Sequence, residues 1–203
     1  MSKKVNIIRI VIAVLALSFM YAAQNPNVIS FINKVEAIFG LAPVDGLDGP
    51  VSIVRITDGD TIVVRLNGKD EKLRLIGIDT PEKYDGEKLA RKSRELGLSQ
   101  NEIKQMGRNS SKFTAQLLKG KQVYLEYDVT KRDRYGRLLA YVYIKDDNGD
   151  WVFNDTNFRQ VNLEIITAGW AEPLTIPPNV RYSKKYAQAS RNAKRAGLGN
   201  WSQ

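Results

Sequence analysis

The sequence Ile-Thr-Asp-Gly-Asp-Thr-Ile-Val-Val-Arg-Leu-Asn-Gly at residues 56–68 is followed by Leu-Arg-Leu-Ile-Gly-Ile-Asp-Thr-Pro-Glu at residues 73–82. Both pieces are typical of β-strands, because β-branched residues dominate and Asp-Gly and Asn-Gly are strong turn signals. The two strands carry one arginine and three carboxylates, which are Arg74, Asp60, Asp79 and Glu82. If folding brings these groups together, they indicate a site for a hard cation and a phosphate.

In the chain as a whole, hydrophobic periodicity predicts five short strands, at residues 51–57, 61–66, 72–78, 123–128 and 138–145. Helical patterns occur at residues 87–96, 99–119, 161–168 and 180–196, and the second begins with the capping-box sequence Ser-Gln-Asn-Glu. Residues 151–153 are expected to be short and extended. The predicted fold class is α+β, a five-stranded Greek-key barrel of the OB type with about three helices, preceded by a single N-terminal hydrophobic helix.

The N-terminal segment is apolar from residue 5 to residue 23, apart from Asn6, Arg9 and Ser18. Its length matches the roughly 20 residues that a bilayer span needs. Lysines at its start favour a cytoplasmic N-terminus and an extracytoplasmic domain. We therefore expect a membrane anchor, with a cleaved signal peptide and secretion as the alternative.

Three segments follow from these patterns. Residues 1–26 form the membrane anchor or signal segment, residues 27–50 a juxtamembrane segment and linker, and residues 51–203 the barrel domain. The linker is assigned from its prolines and glycines near residue 50. No protein partner is predicted.

Composition limits the chemistry. The chain contains neither histidine nor cysteine, which excludes a Ser-His-Asp triad, imidazole bases and thiolate zinc sites. The net charge of +9 favours a polyanionic partner such as nucleic acid, although a basic domain without such a partner is an alternative.

The carboxylates suggest roles of their own. Asp60 and Asp79, with the carbonyl of Thr80, form a plausible oxygen shell for Ca²⁺. The alternative, for each aspartate taken alone, is an ordinary residue of a turn or a strand end without a metal-binding role. Glu82 lies three positions after Asp79 and is the leading candidate for a general base or water-positioning group, since no histidine is present.

Two arginines are candidates for binding phosphate. Arg74 lies in the predicted third strand and Arg137 in a basic loop. Because Arg74 is five residues before Asp79, a regular pleat would place them on opposite faces. Their meeting requires a bulge, for which Gly77 is the candidate. Tyr135 is a candidate for stacking on a base, with ordinary packing as the alternative.

Taken together, these motifs closely resemble the staphylococcal nuclease family. The resemblance is carried by Asp-Gly-Asp-Thr at 58–61, the stretch at 73–82, Asp-Arg-Tyr-Gly-Arg at 133–137 with Ala-Tyr at 140–141, and Gly-Asn-Trp at 199–201. Any one motif alone is weak, whereas their order and spacing are highly specific. The segment at 83–108 is longer than in a minimal family member.

The resemblance implies an OB-fold barrel and a calcium-dependent endonuclease that hydrolyses DNA and RNA by attack of a metal-associated water and leaves 3′-phosphate ends. The implied roles fall into three sets. Catalysis involves Arg74, Glu82 and Arg137, the metal is held by Asp60, Asp79 and Thr80, and Arg134 and Tyr135 contact the substrate.

Two alternatives to a nuclease are compatible with the sequence. The first is a membrane-tethered OB module that binds nucleic acid without cutting it, and the second is an interaction protein on the same scaffold. The clustered acids argue against the first, because a module that only binds nucleic acid gains little from three clustered carboxylates.

Overall fold

The fold is that of a computed structural model, which describes Asn25 and residues 46–202. The chain divides into two units, Met1–Ala42 and Pro43–Gln203, and the elements below belong to the second. The hydrophobic segment predicted at residues 5–23 lies outside the described residues. Within the described part, no helix is long and apolar enough to cross a membrane.

Nine strands and four α-helices make up the described fold. The strands are β1 (Asp48–Asp58), β2 (Thr61–Leu66), β3 (Lys69–Leu75), β4 (Ile78–Asp79), β5 (Gln122–Glu126), β6 (Leu138–Lys145), β7 (Trp151–Phe153), β8 (Thr156–Gln160) and β9 (Glu172–Pro173). The helices are α1 (Glu87–Leu96), α2 (Gln100–Leu118), α3 (Val161–Thr167) and α4 (Ser183–Arg195), followed by a 3₁₀ helix at Gly199–Trp201.

Five of the strands close a barrel. β1, β2 and β3 form an antiparallel meander, and β5 and β6 continue the sheet from the free edge of β1. Parallel pairing of β6 with β3, with Leu73 beside Leu138 and Leu75 beside Ala140, joins the two ends. The predicted five-stranded barrel is confirmed, and the structure places four helices around it instead of about three.

The barrel interior is filled by alternate residues of these strands. Ile62, Val64, Leu73, Leu75 and Val142 are all almost completely buried. Each buried aliphatic side chain of this size contributes about 1.5–3 kcal/mol relative to exposure. This core fixes the strand ends that carry the charged residues.

The predicted helices begin and end close to the expected positions. At the start of α2 the Ser99 hydroxyl accepts a hydrogen bond from the backbone N–H of Glu102 at 3.2 Å, and the Glu102 carboxylate accepts one from the Ser99 N–H at 2.8 Å. The capping box is therefore present. α4 begins at Ser183, three residues after the predicted start.

Strand predictions were wrong at four places. β1 begins at Asp48, inside the predicted linker, because Asp48 pairs with Leu125 and Leu47 is buried. β8 and β9 were not predicted as strands, but each forms where neighbouring strands supply hydrogen bonds, β6 and β7 for the first and β4 for the second. The predicted third strand is split into β3 and β4.

Gly77 causes that split. Its φ of +81° lies in the left-handed region that favours glycine. A Cβ built on Gly77 would lie 2.6 Å from a ring carbon of Tyr186, which is 1% exposed. Glycine is therefore required both by the backbone conformation and by the packed ring.

Gly77→Ala is expected to destabilise the domain more than Gly68→Ala. Gly68 has a similar φ of +76° with no atom within 4 Å of an added Cβ, so its substitution costs only the left-handed strain of about 1–2 kcal/mol. At Gly77 the clash with Tyr186 adds about 1–3 kcal/mol. Urea denaturation measures the free energy of unfolding, and equal losses in the two variants would contradict this account.

Candidate active site

Asp60 connects the β1–β2 turn to the end of β4. Its side chain is 9% exposed, and Oδ2 accepts hydrogen bonds from the backbone N–H of Thr80 at 2.8 Å and from the Thr80 hydroxyl at 2.9 Å. Oδ1 accepts one from the Thr61 hydroxyl at 2.9 Å. These bonds compensate the desolvation of the carboxylate, because a buried charge is costly unless it is hydrogen-bonded.

The guanidinium of Arg74 bridges two carboxylates. Nη1 lies 3.0 Å from Asp60 Oδ2, and Nη2 lies 3.1 Å from Asp79 Oδ1. Arg74 reaches Asp79 because β3 ends at Leu75 and Gly77 turns the chain before β4. The break predicted at Gly77 is therefore what brings the two residues together.

Glu82 joins this cluster through a residue that sequence reasoning missed. Lys88, in the first turn of α1, places Nζ 3.0 Å from Asp79 Oδ1 and 2.5 Å from Glu82 Oε1. Burial alone would lower the pKa of Lys88, but its contacts with Glu82 and Asp79 outweigh that and raise it. No motif marks Lys88, because the ion pair depends on how α1 docks.

The loop between β5 and β6 is organised by Asp133. Its Oδ1 accepts hydrogen bonds from the backbone N–H groups of Tyr135 and Arg137 at 2.9 and 3.0 Å, and its Oδ2 accepts one from Arg137 Nε at 2.7 Å. Burial would raise the pKa of Asp133, but these hydrogen bonds outweigh it and hold the pKa below its usual value. Asp133 thereby fixes the orientation of Arg137.

Arg134 and Tyr135 form an exposed pair beside it. Tyr135 is 68% exposed. The Arg134 guanidinium donates to the Tyr135 hydroxyl at 2.6 Å and lies 4.8 Å from its ring centre. An aromatic ring presented to solvent in a basic loop is available for stacking.

The structure thus divides the predicted residues into two groups. Asp60, Arg74, Asp79 and Thr80 are in direct contact, and Glu82 is linked to them by Lys88. The second group comprises Arg134, Tyr135 and Arg137. Arg137 immediately precedes β6, whose Leu139 is in register with Arg74 on β3, so adjacent strands position the two groups.

The oxygen atoms of Asp60, Asp79 and Thr80 make up the predicted metal site. Among the described residues, no group of three or more His, Cys, Asp or Glu side chains is arranged to hold a metal ion. The predicted set has two carboxylates and the Thr80 carbonyl, and such all-oxygen donors fit Ca²⁺ when waters complete the shell. Asp79 Oδ2 accepts no hydrogen bond from the described residues, so it is available as a ligand.

A cavity of about 260 Å³ lies beside the cluster. Its lining includes Asp79 and Glu82, together with Lys88, Lys92 and Leu96 of α1. The segment at 83–108 therefore contributes directly to the surroundings of Glu82.

Comparison with known proteins agrees with these motifs. The family described as "Staphylococcal nuclease homologue" matches residues 72–203, more than half of the chain. The chain belongs to the staphylococcal nuclease family.

Individual relatives support this family assignment. The thermonuclease of Staphylococcus intermedius is 34% identical over 149 residues, covering 73% of this chain and 74% of the relative. The thermonuclease of Staphylococcus hyicus is 33% identical over 150 residues, covering 74% of each. Endonuclease YncB of Bacillus subtilis is 30% identical over 154 residues, covering 75% of this chain and 61% of the relative.

Arg74→Met is expected to destabilise this member of the family by about 3 kcal/mol, because it leaves two largely buried carboxylates without their shared cation. The matched control is Arg65→Met. Arg65 pairs with Asp70 on the surface, where the side chains are 53% and 43% exposed, so its loss costs less than about 1 kcal/mol. Chemical denaturation in the presence of a chelator measures both values. A loss in Arg74→Met no larger than in Arg65→Met would contradict the bridging role of Arg74.

Proposed function

We propose that this protein is a calcium-dependent endonuclease that hydrolyses phosphodiester bonds of DNA and RNA and leaves 3′-phosphate ends. The observation that carries the proposal is the arginine bridge between Asp60 and Asp79, with Glu82 at its edge. Membership of the staphylococcal nuclease family and the thermonuclease and endonuclease names of its relatives support the same reaction class.

The phosphate is bound by the arginines. Arg74 has its guanidinium at the carboxylate cluster, and Arg137 is held rigid by Asp133. Each presents a planar fork that matches two phosphate oxygens. As the water oxygen adds to phosphorus, negative charge grows on the equatorial oxygens, and prepositioned guanidinium groups stabilise it.

Glu82 orients the attacking water. Lys88 contacts Oε1, and Oε2 accepts no hydrogen bond from the described residues, so Oε2 is free to accept one from water. A proton leaves the water as the new P–O bond forms, and the Glu82 carboxylate accepts it. The bond from phosphorus to the 5′-oxygen then breaks. The 5′-oxygen keeps the electron pair and takes up a proton from solvent, and the phosphate stays on the 3′-oxygen.

Asp60, Asp79 and the Thr80 carbonyl would hold the calcium ion. When bound, the ion would supply positive charge to the phosphate and lower the pKa of a coordinated water. The all-oxygen donor set supports calcium over the softer transition metals.

The substrate class follows from charge and exposed aromatic surface. The net charge of +9 attracts nucleic acid, and the exposed Tyr135 beside Arg134 suits stacking on an unpaired base. These contacts involve phosphates and base faces, which DNA and RNA share.

We further propose that residues 5–23 anchor the protein in a membrane with the nuclease domain extracytoplasmic, or that the domain is secreted if residues 1–26 are cleaved. The support is the apolar N-terminal sequence with its preceding lysines. Mass spectrometry of the mature N-terminus, combined with membrane fractionation, distinguishes the two outcomes.

Full-length protein is expected to cleave a single-stranded oligonucleotide with calcium and not with a chelator. Arg137→Ala should reduce kcat by about 10²–10³-fold, since it removes one donor to the developing charge, and Glu82→Ala should also reduce kcat strongly. Lys131→Ala is the matched control, because Lys131 lies in the same loop but its ammonium lies over the Tyr127 ring, 4.6 Å from the ring centre. Its kcat should remain within about threefold of the wild type.

The same assay tests the alternative of a binding module. Salt-sensitive binding of the oligonucleotide with no cleavage at any calcium concentration would refute the nuclease proposal. End-labelling of the products checks the 3′-phosphate.

A further inference from the structure

Lys88 has a position that the proposed roles do not explain. Its side chain is 41% exposed, yet Nζ contacts a predicted metal ligand, Asp79, and the predicted water-orienting residue, Glu82, at 3.0 and 2.5 Å. The next residue, Leu89, is 1% exposed and anchors the first turn of α1 in the protein. The backbone that bears Lys88 is therefore packed against the protein, and this fixes where its ammonium can reach.

We propose that Lys88 is the positioning residue for Glu82, and that its ammonium also holds the Asp79 carboxylate until a divalent cation displaces it. The inference rests on the proposed nuclease function, because it assigns a task to Lys88 within that same site.

The first argument concerns Glu82. Its side chain is 27% exposed, and in the described part of the chain the ion pair with Lys88 is its one polar side-chain contact. Without that contact the long side chain is free to rotate. Lys88 contacts Oε1 only. The other oxygen, Oε2, can therefore accept a hydrogen bond from a water. Misplacement of a reacting group by about 1 Å can cost about 10²-fold in rate.

The second argument concerns Asp79. Oδ1 already has two cationic neighbours, Arg74 at 3.1 Å and Lys88 at 3.0 Å. A divalent ion bound to this carboxylate would lie about 2.4 Å from its oxygen, and the nearby ammonium would repel it. The contact of Lys88 with Glu82 is the shorter of the two, at 2.5 Å against 3.0 Å for Asp79, so we expect it to persist when a cation displaces Lys88 from Asp79.

Lys92 provides a matched control one helical turn further along α1. It is 28% exposed and also lines the cavity beside the cluster. Its ion pairs are with Glu95 at 3.9 Å and Glu172 at 3.7 Å, and not with Asp79 or Glu82. Replacing either lysine with methionine removes one charge from the same helix face.

The test uses the full-length protein as wild type, K88M, K92M and K88R. Isothermal titration calorimetry measures calcium binding without nucleic acid, and steady-state kinetics on a single-stranded oligonucleotide give kcat and KM at saturating calcium. Circular dichroism and thermal unfolding confirm that each variant is folded.

K88M is expected to bind calcium about tenfold more tightly, since a like charge close to the ion is removed. Its kcat should fall about 10–100-fold while KM changes less than about threefold, because Glu82 loses its orientation but the phosphate contacts remain. K92M should match the wild type in both measurements. K88R, which keeps a cation able to pair with Glu82, should retain kcat within about fivefold.

Two results would overturn the proposal. They are a folded K88M with wild-type kcat at saturating calcium, and a K88M with the same calcium affinity as wild type and K92M. If the wild type itself cleaves no substrate, the proposed function fails. Calorimetry still tests whether Lys88 competes with calcium for Asp79, because it measures calcium affinity without any cleavage. The two failures are therefore distinguishable.

Discussion

The arginine bridge between Asp60 and Asp79 is the constraint on which the site depends. Two carboxylates with 9% and 17% exposure and a guanidinium with 13% are stable at these positions only if they remain paired, because a buried unpaired charge costs several kcal/mol. The bridge requires the β1–β2 turn, β3 and β4 to meet at one point. The barrel satisfies this requirement by packing all three around a single core.

Backbone geometry and the helices complete the arrangement. Gly77 takes the left-handed conformation that turns the chain between Arg74 and Asp79, and the ring of Tyr186 from α4 occupies the space that a side chain would need. On the other side, α1 delivers Lys88 to Asp79 and Glu82. The charged groups are thus held by packed elements, which is the condition for preorganised binding of phosphate.

Local signals in the sequence predicted much of this. β-Branched residues and the Asn-Gly turn specify β2 and the meander, since these features depend on neighbours along the chain. The capping box at Ser99 and Glu102 specifies the start of α2 for the same reason. Prediction failed for β8 and β9. Residues 156–160 form a strand because β6 and β7 lie on either side, and residues 172–173 because β4 lies alongside.

The barrel class, the family resemblance and the identity of the candidate residues could be predicted without a structure, because they depend on motif spacing and hydrophobic periodicity along the chain. Which of those residues are in contact depends on the folded structure. It paired Arg74 with both aspartates and Arg137 with Asp133, and it brought in Lys88, which no motif marks. Ion pairs of this kind depend on the docking of distant elements, and their geometry is set by burial and packing, not by spacing in the sequence.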